Sequence, residues 1–174
     1  DEMDSIKVFA PASVANVVCG FDVLGFALDE PGYELIIKKS PKKGIRITIE
    51  KTNKLPLDTE LNTATYGINE ILKTHEIQGG LDVTLIKNLP LGSGMGSSAA
   101  SAVAGVYGIN KLLGLNLSEY ELLRYSASSE AMASGDVHLD NITPALMGGF
   151  VLIQSKDPVD VVKLDSAMEF FSVL

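Results

Sequence analysis

Three features of this 174-residue chain predict an α+β fold with a mixed or antiparallel sheet. Two runs rich in isoleucine, Tyr33–Lys39 and Ile45–Glu50, flank a Ser40–Gly44 turn and read as a hairpin. Segments with helical spacing are interleaved with further strand-like runs, which departs from the regular alternation of a doubly wound parallel sheet. A glycine-rich loop over residues 90–99 (PLGSGMGSSA) leads straight into a helix of small residues. The length suits one domain with a substantial core. A hydrophobic share of 46% against 21% charged residues is that of a folded chain rather than a disordered one.

The elements follow in order. Ile6–Ala10 reads as a short strand broken by Pro11–Ser13, and the hairpin of Tyr33–Lys39 and Ile45–Glu50 comes next. Leu61–Lys73 has apolar residues at helical spacing, with Asp58 and Thr59 as a cap region. Leu81, Val83 and Leu85 alternate with Asp82, Thr84 and Ile86, which predicts a partly buried strand leading into the glycine loop. Ser97–Leu113 is a helix whose Ala, Gly and Ser residues allow close packing. A further helix starts at Leu117 and Ser118, with Ser118 and Glu121 at capping-box spacing, and runs to about Ala131. Ala133–Pro144 reads as a glycine-bearing loop, followed by strands at Gly149–Gln154, Val161–Leu164 and Phe170–Leu174.

Composition excludes several function classes. A net charge of −8 with basic runs confined to Lys38-Lys39 and Lys42-Lys43 argues against nucleic acid and against a polybasic membrane surface. The single cysteine, Cys19, rules out an internal disulfide and suits a reducing compartment. Only two histidines, His75 and His138, accompany it, which argues against a structural zinc site. No apolar run reaches membrane-spanning length, and a cytoplasmic protein is expected.

The glycine loop is built for an anion. Its glycines permit positive φ and close approach of a ligand to the main chain, and the following helix offers free N–H groups and the positive end of its dipole. It is neither a Walker A loop, since no lysine lies between Asn88 and Asn110, nor a dinucleotide fingerprint, since Gly96 comes one residue early. A second cluster, Pro11–Gly25, places Asn16 and Asp22 among small and apolar residues, where they serve either an Asx-type turn or a ligand. A third, Ser129–Gly149, carries Glu130 near a helix end, where the dipole disfavours a carboxylate unless a cation sits beside it. Gly135, Pro144 and Gly148-Gly149 articulate that segment and could present His138 and Asn141 to a cavity.

Together the three clusters resemble the signature set of the GHMP kinases, in the same order and over essentially the whole chain. Within that superfamily, Ala15–Gly25 (A-N-x-x-x-G-F-D-x-L-G) and Glu130–Gly149 (E-x-x-A-S-G-x-x-H-x-D-N-x-x-P-A-x-x-G-G) most resemble the homoserine kinase family. The resemblance implies a GHMP-kinase N-terminal domain spanning 1–174, its sheet covered by helices on one side. It also implies ATP-dependent phosphorylation of the side-chain hydroxyl of L-homoserine, with ATP and Mg²⁺ as cofactors, on the route to threonine. Pro90, Gly92, Ser93, Gly94, Met95, Gly96, Ser97 and Ser98 would cradle the phosphates, with Asn62 and Lys87 along the nucleotide side. Ser98 and Glu130 would hold Mg²⁺, which prefers hard oxygen ligands. Asp22 would pair with the substrate ammonium, Asn16 would orient the substrate, and His138 and Asn141 would line the acceptor side, with Asn141 near the attacking hydroxyl. No general base is assigned.

One departure from the family stands out. Gripping the substrate carboxylate calls for arginine, yet the only two, Arg46 and Arg124, fall outside every motif. The family's C-terminal domain, the expected source of that clamp, is absent from this chain, so poor turnover by the chain alone is expected. An apolar strand ending at Leu174 suggests a homodimer. Competing readings are another small-molecule GHMP kinase of mevalonate or sugar type, and a non-catalytic nucleotide-binding module.

Overall fold

The structure, a computed structural model, describes residues 3–17, 19–89 and 92–165. The expected strand at Phe170–Leu174, and Pro90 of the glycine loop, lie outside the described residues. The chain runs β1 (Ser5–Val17), β2 (Gly20–Ser40), β3 (Gly44–Glu50), α1 (Thr63–Thr74), β4 (Gly80–Lys87), α2 (Ser97–Leu113), α3 (Glu119–Ser134), α4 (Leu139–Met147), β5 (Phe150–Lys156) and β6 (Val159–Leu164). Together the strands form one six-stranded mixed sheet. Long β2 is its organiser: β1 pairs antiparallel along one edge, while β4 and β5 pair antiparallel with the two ends of the other. β6 extends the sheet beyond β5, and β3 extends it beyond β4 as the parallel pair.

Period-2 alternation assigns the two faces. Rows of cross-strand neighbours such as Val8–Leu35–Leu85–Ile49 and Ile6–Ile37–Val83–Ile47 face the helices. Leu35, Ile37, Val83 and Leu85 are essentially solvent-free, each contributing about 1.5–3 kcal/mol by burial. The opposite face is mostly polar and carries the Lys7–Glu34 and Arg46–Asp82 ion pairs. α2 is the central helix, buried almost all round. Its glycines permit this: a Cβ on Gly105 would meet the Ala64 carbonyl oxygen of α1 at 1.9 Å, and one on Gly108 would meet Ile37 Cδ1 at 2.8 Å.

The expected hairpin of Tyr33–Lys39 and Ile45–Glu50 does not form. Both strands exist, but β4 lies between them, antiparallel to β2 and parallel to β3. The turn at 40–44 therefore straddles the start of β4, and a Cβ on Gly80 would lie 1.7 Å from the Lys42 carbonyl oxygen. Arg46 ties the turn down by donating to the Lys42 carbonyl at 3.1 Å and the Ser40 hydroxyl at 2.6 Å. The parallel β3–β4 pair requires a crossover, which α1 supplies.

Two further expectations are corrected. Pro11–Ser13 does not end the first strand: β1 continues to Val17 through register shifts at Pro11/Ser13 and Ala15/Val17, and 20–32 is strand as well. The segment 133–144 is not simply a loop, because α3 runs on to Ser134 and α4 begins at Leu139 with Pro144 inside it. Pro144 has no N–H to give the Asp140 carbonyl four residues back. That oxygen instead lies against Gly25 of β2, where a Cβ would approach it to 1.9 Å. Gly25→Ala should accordingly lift α4 off the sheet and cost about 1–3 kcal/mol, read as a lowered urea midpoint in equilibrium unfolding.

Candidate functional site

The glycine loop sits at the N-terminus of α2. Gly92, Gly94 and Gly96 have φ of 71°, 72° and 61°, the left-handed region that a side chain disfavours. Two neighbours hold the loop's end. The Ser13 amide donates to the Met95 carbonyl at 3.1 Å, and the Ser13 hydroxyl donates to Asn141 Oδ1 at 3.0 Å. Gly96 lies between them, with room for no Cβ: one would sit 2.2 Å from Ser13 Oγ and 2.7 Å from Asn141 Oδ1. The first two clusters of the sequence and α4 of the third thus meet at one residue.

Below the loop, Tyr33 on β2 and Lys87 on β4 are cross-strand partners on the helix-covered face. The Tyr33 hydroxyl and Ser97 Oγ share a hydrogen bond of 2.6 Å at the first residue of α2. Lys87 is 5% exposed, and its Nζ stands 5.6 Å from the Tyr33 ring centroid with no hydrogen-bond partner among the described residues. Burial depresses its ammonium pKa below the ordinary lysine value. The Ser93 and Ser98 hydroxyls are likewise buried without a partner. Buried polar groups ordinarily find partners, so an ammonium and two hydroxyls left over beside one glycine loop fit a ligand rich in anionic oxygens.

The remaining residues lie on the α3–α4 side. Glu130 is 4% exposed; its Oε2 accepts from the His138 amide at 3.0 Å, and its Oε1 is 3.7 Å from His138 Nδ1. Asp140, 2% exposed, has an Oδ2 with no hydrogen-bond partner among the described residues and lies within the electrostatic reach of Asp22, His138 and Lys156. Desolvation pushes both the Glu130 and the Asp140 carboxyls above their ordinary range, opposed in part by His138. Asn16 (φ 58°) and Asp22 (φ 60°) come together across the β1–β2 turn, with Asn16 Oδ1 accepting the Asp22 amide at 2.8 Å. The Asp22 carboxylate is half-exposed and stands 3.6 Å from Lys156 Nζ.

Asn62 has a structural task. Its carbonyl accepts from the Ala64 amide as the N-cap of α1, and its amide donates to the Pro56 carbonyl at 2.8 Å. The cap therefore falls at Asn62 rather than at Asp58 and Thr59. Of the two arginines, Arg46 belongs to the outer sheet face and Arg124 stacks on Tyr125 at 4.6 Å. Among the described residues no three His, Cys, Asp or Glu side chains converge on a metal position. One carboxylate and one hydroxyl, Glu130 and Ser98, are hard oxygen donors of the kind Mg²⁺ accepts when phosphate and water complete its shell. Sequence reading assigned no role to Ser13 or Asp140, although both stand inside the quoted clusters, nor to Tyr33, which no motif marks; the partners of Ser13 and Tyr33 lie in distant segments.

Residues 62–149 match the family described as GHMP kinases N terminal domain, and the chain belongs to that family. The particular kinases it resembles are homoserine kinases. It is 42% identical to the homoserine kinase of Chlorobium phaeovibrioides, aligned over 99% of this chain and 58% of that protein. With the homoserine kinase of Methanococcus vannielii it shares 37% identity over 93% of this chain and 54% of the relative. The crystal structure of homoserine kinase from Cytophaga hutchinsonii superposes with a TM-score of 0.89 at 54% identity, covering 94% of this chain and 53% of that one. Mevalonate kinase from Methanococcus jannaschii shares the fold, with a TM-score of 0.76 at 16% identity. The chain thus spans little more than half the length of these relatives.

Carboxyls with raised pKa hold their protons longer in the folded protein than in the unfolded chain. Stability should then fall as pH rises from the ordinary carboxylate range, about 4, through the native titration of Glu130 and Asp140. Asp140→Asn should flatten part of that fall, and adding Glu130→Gln should flatten it further, as measured by urea midpoints across the pH range.

Proposed function

We propose that this domain binds the triphosphate of ATP with Mg²⁺ and takes part in transferring the γ-phosphoryl group to the side-chain hydroxyl of L-homoserine. The observation that carries the reading is the set of unpartnered buried donors, Lys87 Nζ, Ser93 Oγ and Ser98 Oγ, beside a left-handed glycine loop at a helix N-terminus. Family membership and the similarity to homoserine kinases support the choice of donor and acceptor.

In this reading the loop from Pro90 to Ser98 and Lys87 carry the phosphates, and Asn62 shapes the nucleotide side by capping α1. Ser98 and Glu130 would hold Mg²⁺, which would supply neutralisation of the phosphate charge. Asp22 receives the substrate ammonium, displacing Lys156, while Asn16 and His138 bound the acceptor side. Asn141 spends its Oδ1 on Ser13 and keeps its amide hydrogens for the acceptor hydroxyl. The bond between the γ-phosphorus and the ADP oxygen breaks as the one to the homoserine oxygen forms. The hydroxyl proton leaves on the transferred phosphate, so no side-chain base is required. Transfer of this kind rests on positioning and charge stabilisation.

Neither arginine falls within a motif, Arg46 lying on the outer sheet face and Arg124 stacking on Tyr125, so the carboxylate clamp is assigned to neither. A cytoplasmic enzyme without nucleic-acid or membrane partners fits the acidic composition, and no helix among the described residues is long and apolar enough to cross a membrane. Self-association, expected from the apolar run at Phe170–Leu174, completes the proposal.

Calorimetric titration of the chain with a non-hydrolysable ATP analogue should show Mg²⁺-dependent binding that Glu130→Ala weakens roughly tenfold or more. A coupled assay should show phosphorylation of L-homoserine, in preference to mevalonate and galactose, once the chain is extended to the length of its relatives. Absence of nucleotide binding would remove the assignment.

A further inference from the structure

We propose that Tyr33 is a positioning residue of the phosphate site, acting through Ser97. The inference rests on the triphosphate reading of the glycine loop given above. Tyr33 lies in the strand β2, 64 positions from Ser97, and belongs to none of the three motif clusters.

The geometry has three parts. Tyr33 is 1% exposed and cannot turn to another partner, because its ring is fixed within the core beside Ala10 and Lys87. Its hydroxyl lies 2.6 Å from Ser97 Oγ, a short contact for two neutral hydroxyls. Either oxygen can donate in this pair; a phenol is the stronger donor, and the proposal has Tyr33 donating and Ser97 accepting. Ser97 then keeps its own hydrogen for an acceptor on the loop side, and donation into its oxygen makes that hydrogen a better donor. Meanwhile the Tyr33 ring face underlies the Lys87 ammonium, at 5.6 Å from Nζ. This is a cation–π placement that steadies a charge lacking hydrogen bonds. One side chain therefore contacts two donors, Ser97 at the first residue of α2 and Lys87 on β4. A ligand with several anionic oxygens, a polyphosphate, is the class that uses both.

The test compares the intact chain with Tyr33→Phe, Ser97→Ala, Ser97→Thr and the Tyr33→Phe/Ser97→Ala double variant. Phenylalanine keeps the ring over Lys87 and removes only the hydroxyl. Affinity for inorganic tripolyphosphate and for a non-hydrolysable ATP analogue is measured by calorimetry, with thermal unfolding as the folding check. Tyr33→Phe should weaken both ligands roughly three- to tenfold, the worth of one hydrogen bond. Ser97→Ala should weaken them at least as much, Ser97→Thr should retain affinity, and the double variant should be no worse than Ser97→Ala. A near-ultraviolet tyrosine difference signal on adding tripolyphosphate should appear in the parent and vanish in Tyr33→Phe. Unchanged affinity in Tyr33→Phe, or additive losses in the double variant, would overturn the role of Tyr33 and leave the triphosphate reading standing. Should Tyr33→Phe not fold, full affinity in Ser97→Ala would overturn it equally. If the parent bound neither ligand, both inferences would fail together.

Discussion

The structure turns on the space that Gly96 leaves empty. Ser13 Oγ and Asn141 Oδ1 would lie 2.2 and 2.7 Å from a Cβ at that position, so the two can meet only across a glycine. Their hydrogen bond spans 128 residues of sequence and fastens β1, the glycine loop and α4 to one another. Because Gly96 is also the N-cap of α2, the same contact fixes where that helix begins and which way its free amides point. Close packing of Gly105 on α1 and Gly108 on β2 then prevents α2 from sliding along its axis. Loop geometry is thus inherited from the core, which is how a short glycine-rich sequence becomes a fixed loop.

Much of this was legible in the chain, and the failures share a physical origin. The alternation of Leu81, Val83 and Leu85 assigned β4 its faces correctly, and Ser118 with Glu121 forms the capping box that its spacing predicts. The strands Tyr33–Lys39 and Ile45–Glu50 were found, but their pairing was not. Turn chemistry at Ser40–Gly44 reports that the chain reverses there; it carries no information on whether a third strand enters the gap. α4 was hidden by its own composition. It has no side-chain cap at His138, and Pro144 signals a break that the Asp140 carbonyl avoids by facing Gly25. At the site, glycine spacing exposed the loop, whereas Ser13 and Tyr33 act only through distant partners.

The proposed polyphosphate site has a local electrostatic basis within an acidic chain. With a net charge of −8, long-range attraction is not available, and the local terms must suffice. They consist of the α2 N-terminus, one desolvated lysine and buried hydroxyl donors. Desolvation strengthens each of them, since an ammonium in a poorly screened setting attracts phosphate more strongly than one in water. Two of the acidic residues are engaged locally: Glu130 by the His138 amide, and Asp22 by Lys156.

Hydrogen-bond satisfaction separates residues that resemblance alone treats alike. Asn62 and Lys87 both follow from the family pattern as nucleotide-side residues, and both are buried. Asn62 uses its carbonyl on Ala64 and its amide on Pro56, so replacing it would first cost α1 its cap. Lys87 makes no hydrogen bond among the described residues: its hydrocarbon stem lies in the core and its charge meets only the Tyr33 ring face. A fold gains no stability from that arrangement, because an apolar residue of similar size would serve the core better. The same argument applies to Ser98, whose hydroxyl is buried without a partner where the first turn of α2 would accept alanine. Selection for stability explains Asn62; selection for binding an anion is the simpler account of Lys87 and Ser98.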